Sequence, residues 1–275
     1  MDLLFGLILI GVPLFAIVFG IWSISNDIYV FFYGELGYQI KTRRPLYNKY
    51  KVILENYCAY YKLLSPKDRI EFERRLKHFM YSKRFIPRNG IERITDEMRV
   101  LISASAIQLT FGLPEIYFAN FDKILVYPDQ YYSHINKQYH LGEVNPRAGI
   151  IVLSWKAFVH GYGDLRDSYN VGIHEMAHAI HFENRIKNEE YDFLNHEALR
   201  SLEKITVRET MQIKMGNPHL LRSYAGTNHY EFFAVSLEYF FEQPDQMHLQ
   251  LPDLYKTLKL LLNQDPLKMY NFDQL

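Results

Sequence analysis

The sequence predicts an α+β domain, a small sheet plus a block of helices, behind one N-terminal transmembrane helix. Two short β-rich runs bounded by turn residues, 123–127 (KILVY, stopped by Pro128) and 149–154 (GIIVLS), read as strands. Helical patterning follows them at 168–183, 196–215, 228–242 and 251–263. Strands and helices segregated in this way point to α+β architecture.

The N-terminal prediction rests on residues 3–22, LLFGLILIGVPLFAIVFGIW, which carry no charge. A helix of that length spans about 30 Å, the thickness of a bilayer's hydrocarbon core. Only Met1 and Asp2 precede the run, so the basic opening of a cleaved signal peptide is missing. Pro13 is tolerated in a membrane helix. Lys41, Arg43, Arg44, Lys49 and Lys51 all follow the run, which predicts a single-pass protein whose bulk faces the cytoplasm. Residues 1–25 are assigned to the anchor, 26–60 to a juxtamembrane segment and 61–275 to the folded domain. Within that domain Ser65 is the expected cap, and Pro66 the first residue, of a helix through Met80. A break falls at 87–90 and another helix at 96–110.

Composition narrows the function. The 275 residues are 48% apolar and hold 31 Lys+Arg against 31 Asp+Glu. That balance excludes disorder, and with no basic excess no direct nucleic-acid binding is expected. The lone Cys58 excludes an intramolecular disulfide and thiolate-rich metal sites. A metal here needs histidines and carboxylates.

Residues 174–178, HEMAH, supply them. On a helix the i and i+4 positions share a face, so His174 and His178 can offer two imidazoles to one ion. Glu175 points about 100° away and can bond a metal-bound water. Apolar neighbours Ile173, Met176, Ala177, Ala179 and Ile180 argue against a solvated surface helix. A hydrolytic zinc site takes three protein ligands and keeps one position open. His181 lies about 10 Å along the axis from His174, too far to share the ion, and is expected to line the site or face substrate. Glu197 belongs to a helix that reads as a solvated face. Glu231 is the better third ligand, because it opens the aromatic run EFFAVSLEYFF and a buried carboxylate needs a partner. Glu238, seven residues on, would either orient a ligand imidazole or pair with an Arg or Tyr.

With KRFIP at 83–87, ILVYP at 124–128, GIIVLSW at 149–155, HEMAH, SYAGTNHYEFFAVSLEYFFEQP at 223–244 and QDPL at 264–267, the chain resembles the Mlc titration factor A family of zinc peptidases. These bacterial proteins lack a membrane helix, and their catalytic core is similar to that of the anthrax lethal factor protease. The resemblance runs from about Leu64 to Tyr270 and implies a zincin-like domain with one Zn2+ per chain. It implies His174, His178 and Glu231 as ligands, Glu175 as general base and Tyr224 as a hydroxyl donor to the oxyanion. The family's usual Asp three residues after the second histidine is His181 here. The expectation is a membrane-anchored metallopeptidase of the glutamate-ligand class, with endo- and aminopeptidase types both open, acting on a peptide or protein substrate that pairs with the edge of strand 149–154. The alternative implied by the family is a regulatory module that sequesters a transcriptional repressor at the membrane around a structural zinc, with His181 or Glu238 closing the site.

Overall fold

The apolar runs at 123–127 and 150–154 become the interior of a four-stranded sheet. The structure, a computed structural model, describes residues 44–133, 137–163, 166–186 and 193–269. Strands β1 (Arg84–Pro87), β2 (Lys123–Tyr127), β5 (Gly142–Asn145) and β6 (Ile150–Ser154) lie in the order β1-β2-β6-β5. β1, β2 and β6 are parallel, with Lys123 opposite Ile150, and β5 runs antiparallel to β6 with Gly142 opposite Leu153. Both faces of the central strands are covered, which is why they read as continuous apolar runs rather than alternating ones. Ile124, Val126, Ile151 and Leu153 face the main core. Leu125 and Val152 pack with Tyr131 of a hairpin formed by β3 (Tyr131–Ser133) and β4 (Gln138–His140).

This topology corrects one expectation. The strand at 149–154 is flanked on both sides, by β2 and β5, so its backbone is not available to a substrate. The outer strand on that side is β5.

Helices α1 (Asn48–Tyr57), α2 (Ala59–Leu63) and α3 (Pro66–Ser82) precede the sheet. The Ser65 hydroxyl caps α3 by accepting from Asp68 N, with Pro66 in the first turn as expected. The compact unit begins at Leu46. Leu46, Tyr50 and Leu54 are buried, so part of the stretch assigned to a juxtamembrane segment packs inside the domain. Lys49 and Lys51, read above as orientation signals, pair there with Asp96 and Glu73. Helix α4 (Asp96–Thr110) connects β1 to β2 and is buried along most of its length. Its hydroxyls bond back within the helix, as Ser103 to Arg99 O and Thr110 to Ala106 O, and so enter the core satisfied.

After β6 come α5 (Trp155–Gly163), α6 (Val171–Ile186), α7 (His196–Lys214), a 3-10 turn (Ser223–Gly226), α8 (His229–Glu242), α9 (Pro244–Gln250), α10 (Pro252–Leu262) and α11 (Pro266–Met269). α6 starts at Val171, not 168, because Ser168 sits at φ 57, in the left-handed region. Every residue of α8 from Phe232 to Glu242 is buried. Full burial of one such phenylalanine contributes about 1.5–3 kcal/mol, enough to anchor α8 at the centre of the domain. Among the described residues no helix is long and apolar enough to cross a membrane, and the span expected at residues 3–22 lies outside them.

Candidate metal centre

Two capped helix starts set the site. Asn170 caps α6, its side chain accepting from Ile173 N at 2.9 Å while its carbonyl accepts from His174 N. Asn228 caps α8, its side chain accepting from Tyr230 N and Glu231 N at 2.8 and 3.1 Å. The first cap places His174 and His178 one turn apart on α6; the second places Glu231 in the first turn of α8.

The structure brings His174, His178 and Glu231 together. His174 Nε2 lies 3.2 Å from His178 Nε2 and 3.1 Å from Glu231 Oε2, and His178 Nε2 lies 3.5 Å from the same oxygen. Their side chains are 12%, 13% and 16% exposed. Among the described residues these three form the group of donor atoms able to hold a metal ion, and neither His181 nor Glu238 joins them. A tetrahedral ion with bonds of about 2.05 Å has ligand atoms about 3.3 Å apart, so the three spacings match one face of such a site.

Glu238 uses the other side of the same ring. It is 1% exposed, and its Oε1 lies 2.7 Å from His174 Nδ1 and accepts from Arg222 at 2.6 Å. Its Oε2 accepts from Asn170 N at 2.8 Å. Seven residues apart on α8, Glu231 and Glu238 hold the two nitrogens of one imidazole between them. Burial pulls the His174 pKa down, but the two carboxylates outweigh it and hold the ring up at about 10. Burial likewise opposes ionisation of Glu231, and the two histidines outweigh it, keeping that carboxylate well below its usual range.

Glu175 is buried, and burial raises its pKa. Its Oε2 has no hydrogen-bond partner among the described residues. A Cβ on Gly142 of β5 would overlap the Glu175 carboxyl group, so the missing side chain at 142 makes its room. Tyr224 stands in the 3-10 turn, half exposed, with its ring 6.1 Å from that of His174. Burial, with help from Glu231 and Glu175, pushes its hydroxyl up to about 12. His181 packs between Tyr230 and Phe233, and Glu197 is exposed.

The donor atoms lie in a cleft with two lobes of about 380 and 430 Å³. Tyr139, Leu141, Tyr169, Val171 and Arg222 are found in one lobe; Val144, Phe182, Asn228 and Tyr230 in the other. A model of the glucose-regulated metallo-peptidase M90 family matches residues 37–262, a stretch that holds every residue of the cleft.

This chain belongs to the M90 metallopeptidase family. Its relatives match along most of its length, as the resemblance to Mlc titration factor A leads one to expect. An uncharacterized protein of Synechocystis sp. is 29% identical over 240 residues, 82% of this chain and 87% of that protein. Mlc titration factor A of Cronobacter sakazakii is 26% identical over 225 residues, 74% and 82% of the two chains. The protein of the same name from Escherichia coli is 25% identical over 218 residues, 70% and 77%. Asn170, Arg222 and Gly142 support this site and were not singled out from the sequence. Asn170 had a visible signal, a capping residue just before an apolar helical pattern.

Proposed function

We infer that this chain is a zinc-dependent peptidase held at a membrane by residues 3–22, with its domain on the cytoplasmic side. One juxtaposition carries the reading: three donor atoms at tetrahedral spacing beside a buried carboxylate oxygen that no group among the described residues satisfies. Two imidazoles and a carboxylate, with no thiolate, suit zinc, one ion per chain. Bound there, zinc supplies Lewis acidity, polarising a peptide carbonyl and bringing a water's pKa to near 7.

Glu175 takes the proton of the attacking water and passes it to the leaving amine. Tyr224, still protonated at neutral pH, donates its hydroxyl to the developing oxyanion. Glu238 fixes which nitrogen of His174 faces the ion. The peptide backbone pairs with the outer edge of β5, which carries no other strand among the described residues. The test uses the full chain: Glu175→Gln should retain zinc and lose hydrolysis of a peptide library, and chelator should silence the wild type. Undiminished turnover by Glu175→Gln would refute the mechanism.

Two of the relatives described above are Mlc titration factor A, and that name supports a second reading, capture of an Mlc-like regulator with the metal held for structure. A closed site needs a fourth protein ligand, and Glu238 is already committed to His174, Arg222 and Asn170. Tight binding of the zinc-loaded chain to purified Mlc, with no peptide cleavage, would favour this reading.

A further inference from the structure

Five residues line both lobes of the cleft and therefore surround its waist beside the ligand triad: His140, Gly142, His174, Glu175 and Tyr224. Four have a place in the reading above, on which the present inference rests. His174 is a ligand, Glu175 the base, Gly142 the gap that admits it and Tyr224 a hydroxyl donor. His140 has no role yet.

His140 closes β4 two residues before Gly142. Its backbone pairs with Tyr131 across the hairpin, and its ring lies 6.4 Å from the Tyr131 ring. The next carbonyl, Leu141 O, accepts from Ser154 N of β6 at 2.7 Å. The imidazole is thus carried by paired strands, the rigid support that an active-site group needs. Its Nε2 is buried and has no hydrogen-bond partner among the described residues. Glu175 Oε2 is the other such atom among the five waist residues. Leaving a buried polar atom unsatisfied costs roughly 1–3 kcal/mol, so two of them on residues that line the same waist call for a reactant that satisfies both. The metal is not that partner for His140, which stands outside the group of convergent donor atoms.

We propose that His140 is a further catalytic residue, whose Nε2–H donates a hydrogen bond to the scissile carbonyl oxygen of the peptide as that oxygen becomes an oxyanion. Tyr224 donates from the helical side of the cleft and His140 from the sheet side. The proton stays on His140 throughout, so proton transfer remains with Glu175. A fixed donor aimed at developing charge binds the transition state more tightly than the substrate.

The experiment uses full-length, zinc-loaded wild type, His140→Ala and His140→Gln. An internally quenched peptide cleaved by the wild type gives kcat and KM. A phosphinic peptide, which mimics the tetrahedral species, gives an affinity independent of turnover. Removal of one oxyanion donor lowers kcat by about 10²–10³. His140→Ala should show that loss with little change in KM, weaken the phosphinic peptide by a similar factor and keep its zinc. His140→Gln retains an N–H donor at similar reach and should recover about tenfold or more of the rate. Unchanged kcat and phosphinate affinity in His140→Ala overturn the proposal. So do loss of zinc or of folding in both variants with no recovery in His140→Gln, which marks a structural role. A wild type that binds zinc but neither cleaves peptide nor binds the phosphinate overturns the peptidase reading itself, a result distinct from the other two.

Discussion

Replacing Glu238 by Gln preserves shape and removes one charge where three donors converge. The carboxylate accepts from His174 Nδ1, Arg222 and Asn170 N at 2.6–2.8 Å and is 1% exposed. An amide keeps a single oxygen, so whichever way it turns an N–H meets a donor, and the Arg222 side chain, 15% exposed, loses its counter-ion. Breaking a buried pair from one side costs about 3–5 kcal/mol. Because the same carboxylate orients His174, zinc affinity should fall about 10–100-fold, as it does when such supporting contacts are lost. Urea unfolding of the metal-free protein measures the first effect and titration against a competing chelator the second. Adding Arg222→Met removes the stranded guanidinium and should recover part of the stability while zinc affinity stays low. A Glu238→Gln protein within about 0.5 kcal/mol of wild type, binding zinc within twofold, would refute the coupling of fold and site through this residue.

Three other outcomes follow from the same geometry. With His174 held up at about 10 in the metal-free protein, zinc must displace a proton at neutral pH, so apparent affinity should rise about tenfold per unit from pH 7 to 8.5. Calorimetry in buffers of different ionisation enthalpy would show about one proton released, and a flat pH profile would contradict the assignment. Burial pushes Glu242 up to about 8, and its Oε2 has no hydrogen-bond partner among the described residues. This acid is neutral in both states below about pH 4.5, and above that the unfolded chain ionises first, so its contribution to stability is lost between about pH 4.5 and 8, by at most about 1.4 kcal/mol per unit. Glu242→Gln should therefore gain on wild type as pH rises through that window, and parallel denaturation curves would count against it. Gly142→Ala drives a Cβ into the Glu175 carboxyl group and should cost about 10² in kcat/KM while zinc content is unchanged, since the atoms the Cβ meets first belong to Glu175 and not to the ligand triad.

The parts of the site carried by one helix at a time were legible, because helical periodicity ties His174 to His178 and a helix start with Asn228 three residues before Glu231 fixes where that acid sits. Contacts between distant segments were not. Asn170 meets Glu238 across 68 residues, and Gly142 matters through a side chain on another element. The short strands were equally hidden: β5 is half-buried at all four positions and offers no alternation to read. Choosing 149–154 as the substrate edge inverted the physics, since a continuous apolar run marks a strand covered on both faces, and an exposed edge must be more polar. Glu238 shows a different limit. In the sequence, orienting an imidazole and pairing with an arginine stand as alternatives, yet a carboxylate has two oxygens with about four lone-pair positions, and here His174, Arg222 and the Asn170 amide occupy it together. Residue type and spacing therefore constrain the candidates for a buried acid's partners, while their number is decided by how many donors the packing of α6, α8 and the loop before the 3-10 turn brings within reach.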